Sequence, residues 1–209
     1  MTAFAGAPLV AIEGIDGTGK STLQRALARR WRSLGLRVLE LQEPSRGPTG
    51  RRAREASGKD PWTAAMAFTE DRRRSRKRIE GALHRGTVVL LDRSFFSTLA
   101  YQGSALPLPQ RRELARLQRK ATLVPDRVIL LTLPIRIAEA RLLRRGGERD
   151  PTERREVLRR AARAYRHFAK AAAWLVIDAR LSPREILDRL DRRLTPWTLR
   201  RVSRIRRRA

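Results

Sequence analysis

Apolar segments alternate with amphipathic ones along the whole chain. Residues 9–13, 37–42, 87–92, 127–133 and 174–178 are short, nearly continuous apolar runs, the pattern of strands in a parallel sheet covered on both faces. Between them the apolar positions fall at helical spacing. Leu23, Leu27, Trp31 and Leu34 share one face, and Gly35 is placed to end that helix. Asp60-Pro61 reads as an N-cap followed by proline at the first helical position; Ala65, Phe68, Ile79 and Leu83 carry the pattern on to Gly86. Polar helices are predicted over 109–121, with Leu114 and Leu117 inward, and over 134–144, with Ile137, Ala138 and Leu142. Asp150-Pro151-Thr152-Glu153 has the form of a capping box, opening a long helix to about residue 173 through Val157, Ala161, Tyr165 and Phe168. Ser182-Pro183-Arg184-Glu185 repeats that logic before Ile186, Leu187, Leu190 and Leu194. The βαβαβαβαβα order predicts one doubly wound α/β domain over 1–194 with a five-stranded parallel sheet. Residues 195–209 fall outside the pattern as a basic tail.

The first apolar run ends in a glycine-rich turn that opens a helix. Gly14, Gly19, Lys20 and Ser21 fill G-x-x-x-x-G-K-[ST], the phosphate-binding loop, in the strand-before, helix-after context that this motif requires. Gly14, Gly17 and Gly19 leave room for backbone N–H groups to point at phosphate oxygens. The intervening Ile15, Asp16 and Thr18, with Thr22 beyond, complete the expected nucleotide cradle. The helix adds the positive end of its dipole. Lys20 can reach the β- and γ-phosphates of ATP, and the Ser21 hydroxyl can hold Mg²⁺. The fold expected is therefore that of a P-loop NTPase.

Composition narrows the surroundings. Lys and Arg together number 48 against 21 Asp and Glu, a net charge of +27, which favours polyanions: nucleic acid or phosphorylated small molecules. Nearly all the cations are arginine, spread along helices where they read as solvated faces. The final ten residues hold six arginines; they are expected to be solvated and to attract nucleic acid in a salt-sensitive way. Cysteine is absent, so there is no disulfide framework and no thiolate chemistry, which suits a reducing cytoplasm. His84 and His167 lack metal-ligand spacing and read as surface residues. Residues 1–8 lack the basic region and apolar stretch of a signal peptide, and no run has the length of a membrane span.

The run over 88–92 ends in Asp92-Arg93. The carboxylate can orient hydrated Mg²⁺. The arginine has no role where water attacks ATP, but it has one where a second phosphate must approach the first. From here the sequence resembles one family. Asp92-Arg93 followed by Ser97, Ala100, Tyr101 and Gln102 resembles the signature of the thymidylate kinases. So do the opening Ile12-Glu13-Gly14 with the phosphate loop, Glu43-Pro44 with Gly47, Gly50 and a basic cluster through Arg54, and Phe68-x-x-x-Arg72. The resemblance runs in order from about residue 9 to 194 and implies ATP-dependent phosphorylation of dTMP to dTDP. It assigns Phe68 to stacking on thymine and Arg72 to the base edge. Tyr101 would lie under the deoxyribose, excluding a 2′-hydroxyl; Thr98, Gln102 and Pro44 would line the acceptor pocket. Asp16 would sit at the acceptor sugar and phosphate near the metal, and Arg93 would bridge the two phosphates.

Arg141-Leu142-Leu143-Arg144-Arg145-Gly146-Gly147-Glu148-Arg149-Asp150 resembles that family's lid, expected over about 141–153. The phosphate loop holds no arginine between Gly14 and Lys20, like the bacterial-type subgroup whose catalytic arginine comes from the lid. Arg145 and Arg149 are the candidates, with Arg141 and Arg144 behind them. Two departures flank the acceptor site: Ser94 where an aromatic or histidine commonly follows Asp-Arg, and Ser45-Arg46 where two glycines often follow Glu-Pro. A homodimer is the expected assembly. The competing readings are a kinase of a related deoxynucleotide or deoxynucleoside, and a basic P-loop protein that binds nucleic acid.

Overall fold

The computed structural model describes residues 6–146, 151–172 and 174–207. Five strands, β1 (Leu9–Glu13), β2 (Val38–Gln42), β3 (Val88–Asp92), β4 (Arg127–Thr132) and β5 (Leu175–Asp178), form one parallel sheet in the order β2-β3-β1-β4-β5. β1 and β3 are buried along their whole length, whereas β2 at one edge is only half-buried. The helices are α1 (Lys20–Ser33), α2 (Pro48–Ala56), α3 (Pro61–His84), α4 (Phe95–Tyr101), α5 (Leu108–Ala121), α6 (Ile135–Arg145), α7 (Arg155–Ala172), α8 (Pro183–Arg193) and α9 (Thr195–Arg206). Among the described residues no helix is long and apolar enough to cross a membrane.

The helix punctuation follows local chemistry. Asp60 accepts a hydrogen bond from Thr63 N at 2.8 Å, capping α3. Ser182 and Glu185 form a reciprocal capping box on α8. Gly35, at φ 78°, ends α1. The box expected at 150–153 is corrected: Asp150 lies outside the described residues, and Pro151–Glu153 is a separate 3₁₀ turn before α7 begins at Arg155.

The C-terminal segment is corrected more substantially. Residues 195–206 form α9, docked on the main core instead of a solvated tail. Val202 is 1% exposed, and Thr195 and Thr198 are buried. The indole N–H of fully buried Trp31 in α1 donates to Thr195 Oγ1 at 2.9 Å. Trp197 lies against the Arg127 guanidinium at 4.5 Å and the Arg201 guanidinium at 5.8 Å. Arg201 pairs with Asp126 at 3.1 Å, and Asp126 accepts from Leu9 N at 2.9 Å, so α9 is tied to the start of the central strand. A chain ending at Leu199 loses Val202 and the Arg201–Asp126 pair. Burying one such side chain contributes about 1.5–3 kcal/mol, so the truncated chain is expected to melt about 3–12 °C lower by calorimetry. An unchanged Tm would show that the second half of α9 adds nothing to the core.

Candidate active site

Open α/β sheets bind ligands at the carboxyl ends of their strands where strand order reverses; here that is the end of β1, between β3 and β4. The chain turns there through residues 14–19. Gly14 takes φ 145° and Gly17 φ 83°. A Cβ on Gly14 would stand 2.6 Å from Leu131 O, and one on Gly17 2.7 Å from Ala138 O, so both the dihedral and the space require glycine. α1 begins at Lys20 and aims its unpaired N–H groups at the loop. Lys20 is buried; its Nζ donates to Ile15 O at 3.0 Å and lies 3.7 Å from Asp16 Oδ1. Burial and the nearby Arg93 lower its pKa, opposed by the carboxylates of Asp16, Asp92 and Glu13.

Ser21 Oγ donates to Asp92 Oδ2, which joins the start of α1 to the end of β3. The other oxygen, Asp92 Oδ1, is buried without a hydrogen-bond partner. A hydroxyl beside a carboxylate with a spare lone pair is a donor set that suits Mg²⁺, which takes one or two protein oxygens and leaves the rest to phosphate and water. Thr18, Gly19 and Thr22 border a cavity of about 250 Å³ on the outer side of the loop, closed by Arg141, Ala179 and Leu181. Arg141 donates to Gly17 O at 3.4 Å and to Ala179 O at 3.1 Å, spanning the loop and the segment after β5.

A second cavity, of about 410 Å³, opens on the other side of the loop. It gathers Asp16, Pro44, Phe68, Arg72, Arg93, Thr98, Tyr101 and Gln102, residues that the sequence spreads over two helices and three loops, and Arg145 stands at its rim. Arg93 is the one described non-glycine residue with a left-handed backbone, φ 74°, a conformation that costs on the order of 1 kcal/mol. Its N–H donates to Ile12 O at 3.0 Å, and its guanidinium bonds Asp16 Oδ1 and reaches Ser97 Oγ at 3.2 Å. The strained turn thus swings the guanidinium across the mouth of the phosphate loop. Tyr101 OH donates to Asp16 Oδ2 at 2.9 Å, and its ring lies 5.2 Å from the Arg93 guanidinium. Burial raises the Asp16 pKa, but Arg93 and Lys20 outweigh it and hold the carboxyl at about 2. Asp16 is therefore ionised at neutral pH with both oxygens engaged, and of the three metal candidates only Ser21 and Asp92 bond each other.

Arg72 is 4% exposed. Its Nε donates to Glu43 Oε2 at 2.5 Å, Nη1 to Thr98 Oγ1 at 2.6 Å and Nη2 to Ser94 O at 3.0 Å. Three of the five guanidinium N–H donors are thereby used, leaving one on each Nη for the cavity. Phe68 is 5.9 Å from the guanidinium. Burial pushes the Glu43 carboxyl up to about 6 despite the Arg72 charge beside it.

Several structuring residues were not singled out by sequence. Glu13, at the end of β1, is 0% exposed and accepts from Ser94 N (2.7 Å), Ser94 Oγ (2.6 Å), Ser97 Oγ (2.7 Å) and Tyr165 OH (2.8 Å). It holds the Asp92-Arg93 turn, α4 and α7 together. Ser94, the departure after Asp-Arg, also caps α4. The other departure is explained similarly: buried Asp71 accepts from Ser45 N (2.7 Å), Ser45 Oγ (2.6 Å) and Thr49 Oγ1 (2.7 Å), fixing the loop into α2 against α3. The available signal was an ionisable residue inside an apolar run, which requires a partner when buried; Glu13 fits it. Tyr165 read only as a core aromatic.

Of the lid arginines, Arg145 is largely exposed and pairs with Glu153, which is 6% exposed, at 2.5 Å. Arg149 lies outside the described residues.

Residues 12–190 match a family model described as thymidylate kinase. The chain is 37% identical over 182 residues to a probable thymidylate kinase of Pyrobaculum aerophilum, covering 85% of this chain and 91% of that one. It is 36% identical over 190 residues to the thymidylate kinase of Thermomicrobium roseum, covering 86% and 90%. With the thymidylate kinase of Xylella fastidiosa it shares 40% over 157 residues, 73% and 74% of the two chains.

Proposed function

This chain belongs to the thymidylate kinase family, and we propose how its residues divide the work of transferring phosphate from ATP to dTMP. The enzyme phosphorylates dTMP to dTDP and uses ATP. The observation that carries the division of labour is the Arg93–Asp16 pair, which joins the phosphate loop to the wall of the second cavity.

The acceptor's second phosphate pKa is near 6, so its attacking oxygen is anionic at neutral pH and no general base is required. The obstacle is repulsion: two unit charges at about 4 Å interact by roughly 4 kcal/mol at an effective dielectric near 20, and several such pairs meet here. Catalysis is positioning and charge neutralisation. Residues 14–22 hold the ATP phosphates, and the cavity under Arg141 takes the adenine. Arg93 meets the acceptor phosphate, and Asp16 fixes Arg93, Lys20 and the Tyr101 hydroxyl. Phe68 faces the thymine ring, with Arg72 and Thr98 at its edge and Pro44 and Gln102 closing the pocket. Ser21 and Asp92 would hold Mg²⁺, which would supply further positive charge against the phosphates. Arg145, and Arg149 with it, supply the lid's positive charge, which for Arg145 means exchanging Glu153 for phosphate. The same reading includes a homodimer and a cytoplasmic setting.

Coupled ADP release tests this reading against a panel of nucleosides and monophosphates. ADP is expected only with a monophosphate present, dTMP foremost; equal release without acceptor would mark an ATPase. The Tyr101 ring is expected to reject ribose, so Tyr101→Ala should narrow the kcat/KM ratio of dTMP to UMP by about tenfold or more, the scale of one lost steric contact. A ratio that does not move would leave Tyr101 a core aromatic and the sugar selection elsewhere.

A further inference from the structure

A third cleft, of about 600 Å³, lies away from both catalytic cavities, between α4, α5 and α7. Its lining includes Arg111, Arg160 and Arg163 and contains no carboxylate. Arg111 is fixed in place by bonds from Nε to Leu106 O (2.5 Å) and from Nη2 to Ser104 O (3.0 Å). Arg160 Nε is buried and has no hydrogen-bond partner, a state that costs free energy until an acceptor arrives. Leu99, Ala115 and Phe168 give the same cleft an apolar wall. Convergent guanidiniums beside an apolar and aromatic surface form the usual chemistry of a small anionic ligand with a flat, weakly polar body. The volume falls in the range of small-molecule sites; it is a walled recess and not the extended stripe that tracks a nucleic-acid backbone.

We propose that this cleft is a binding site for a nucleoside triphosphate, separate from the catalytic cavities: Arg111, Arg160 and Arg163 take the phosphates, and Leu99, Ala115 and Phe168 take the base. Three guanidiniums match a triphosphate better than a monophosphate. Arg160 also lines a small void of about 180 Å³ shared with Tyr101 and Gln102, and α4 carries both Leu99 on the cleft and Thr98 on the acceptor cavity. That shared wall is the physical route from an occupied cleft to the acceptor pocket.

The test separates this site from the catalytic ones by genetics. In the full chain carrying Lys20→Ala and Arg93→Ala, calorimetric titration with dTTP, ATP and inorganic triphosphate, without divalent metal, is expected to find one residual site for the two nucleotides. Adding Arg160→Gln with Arg163→Gln should weaken that site at least tenfold. Ala115→Trp, which plugs the cleft without changing charge, should weaken it as well. In the otherwise wild-type chain the Arg160→Gln/Arg163→Gln pair should keep kcat for dTMP within about twofold, and its melting curve reports that it folds. No residual site, or a residual site undiminished by both the charge and the plug variants, would overturn the proposal. Inorganic triphosphate binding as tightly as the nucleotides would overturn the assignment to a nucleoside. Failure of the catalytic reading appears separately, as full dTMP turnover in the Lys20→Ala/Arg93→Ala chain.

Discussion

Arg93→Ala is expected to lower kcat for dTMP by about 10³-fold or more while the enzyme remains folded, the scale of arginines acting at the transition state of phosphoryl transfer. The expectation rests on what holds that guanidinium. A non-glycine residue at φ 74° persists only where its surroundings over-determine it. Here the backbone bond to Ile12 O and the side-chain bonds to Asp16 and Ser97 do so. All of this places one positive charge at the joint edge of the phosphate loop and the acceptor cavity, where the mutual repulsion of the phosphates peaks. Alanine keeps the strained backbone and removes the charge. Lysine keeps a charge but not the planar fork, so Arg93→Lys should recover only part of the loss. Coupled ADP release at saturating ATP-Mg²⁺ and dTMP measures both, with circular dichroism as the control for folding. A kcat within tenfold of wild type in Arg93→Ala would remove Arg93 from the transition state.

The second large effect is on stability and acceptor binding together. Arg72→Ala strands Glu43, a buried carboxylate whose nearest positive partner is Arg72 at 2.5 Å, and also removes the donors to Thr98 Oγ1 and Ser94 O. Breaking a buried pair by deleting one partner costs about 3–5 kcal/mol. For a chain of this length that is a fall in Tm of roughly 6–20 °C. Protonation of Glu43, already raised to about 6, is the way the fold can relieve the stranded charge. The loss should therefore be larger at pH 8 than at pH 5, where Glu43 is neutral. In parallel, KM for dTMP should rise, because the two remaining N–H groups no longer meet the base edge. Calorimetry across that pH range and steady-state kinetics on the same protein read the two effects. A Tm within about 2 °C of wild type would show that Arg72 is dispensable to the fold. A normal KM would mean that base recognition lies elsewhere.

The sequence was informative where the cause of a structure is local. The continuous apolar runs at 9–13 and 87–92 became β1 and β3, both interior to the sheet and buried throughout. Asp60 and Ser182 cap the helices that their own side chains specify. It was less informative for α2, a polar, arginine-rich helix that buries only Gly50, Ala53 and Ala56, too little apolar surface to leave a readable period. Nor was α4 recognised as a helix, because it is seven residues long and follows directly on the Asp92-Arg93 turn.

The C-terminal segment shows the limit from the other side. Its charge is mostly arginine facing water, and charge density argues for a solvated end. What docks it is a threonine hydroxyl for the Trp31 indole, a tryptophan between two arginines, and a pair with Asp126. None of these contacts is periodic, and each partner lies 70 or more residues away in sequence except Arg201 against Trp197.

The sequence by itself determined the alternating α/β order and the phosphate-loop motif, and named most residues that the second cavity gathers, since a motif is a local string and a helix or strand is a local period. Tertiary structure alone decided which groups meet. It brought Ser94, Ser97 and Tyr165 onto the Glu13 carboxylate, Ser45 and Thr49 onto Asp71, and Glu43 onto Arg72. It also set the Asp16 carboxylate against Arg93, Lys20 and Tyr101. The reason is physical: periodicity reports that a side chain is buried, whereas the partner that makes burying a charge affordable comes from whatever element the fold packs opposite it.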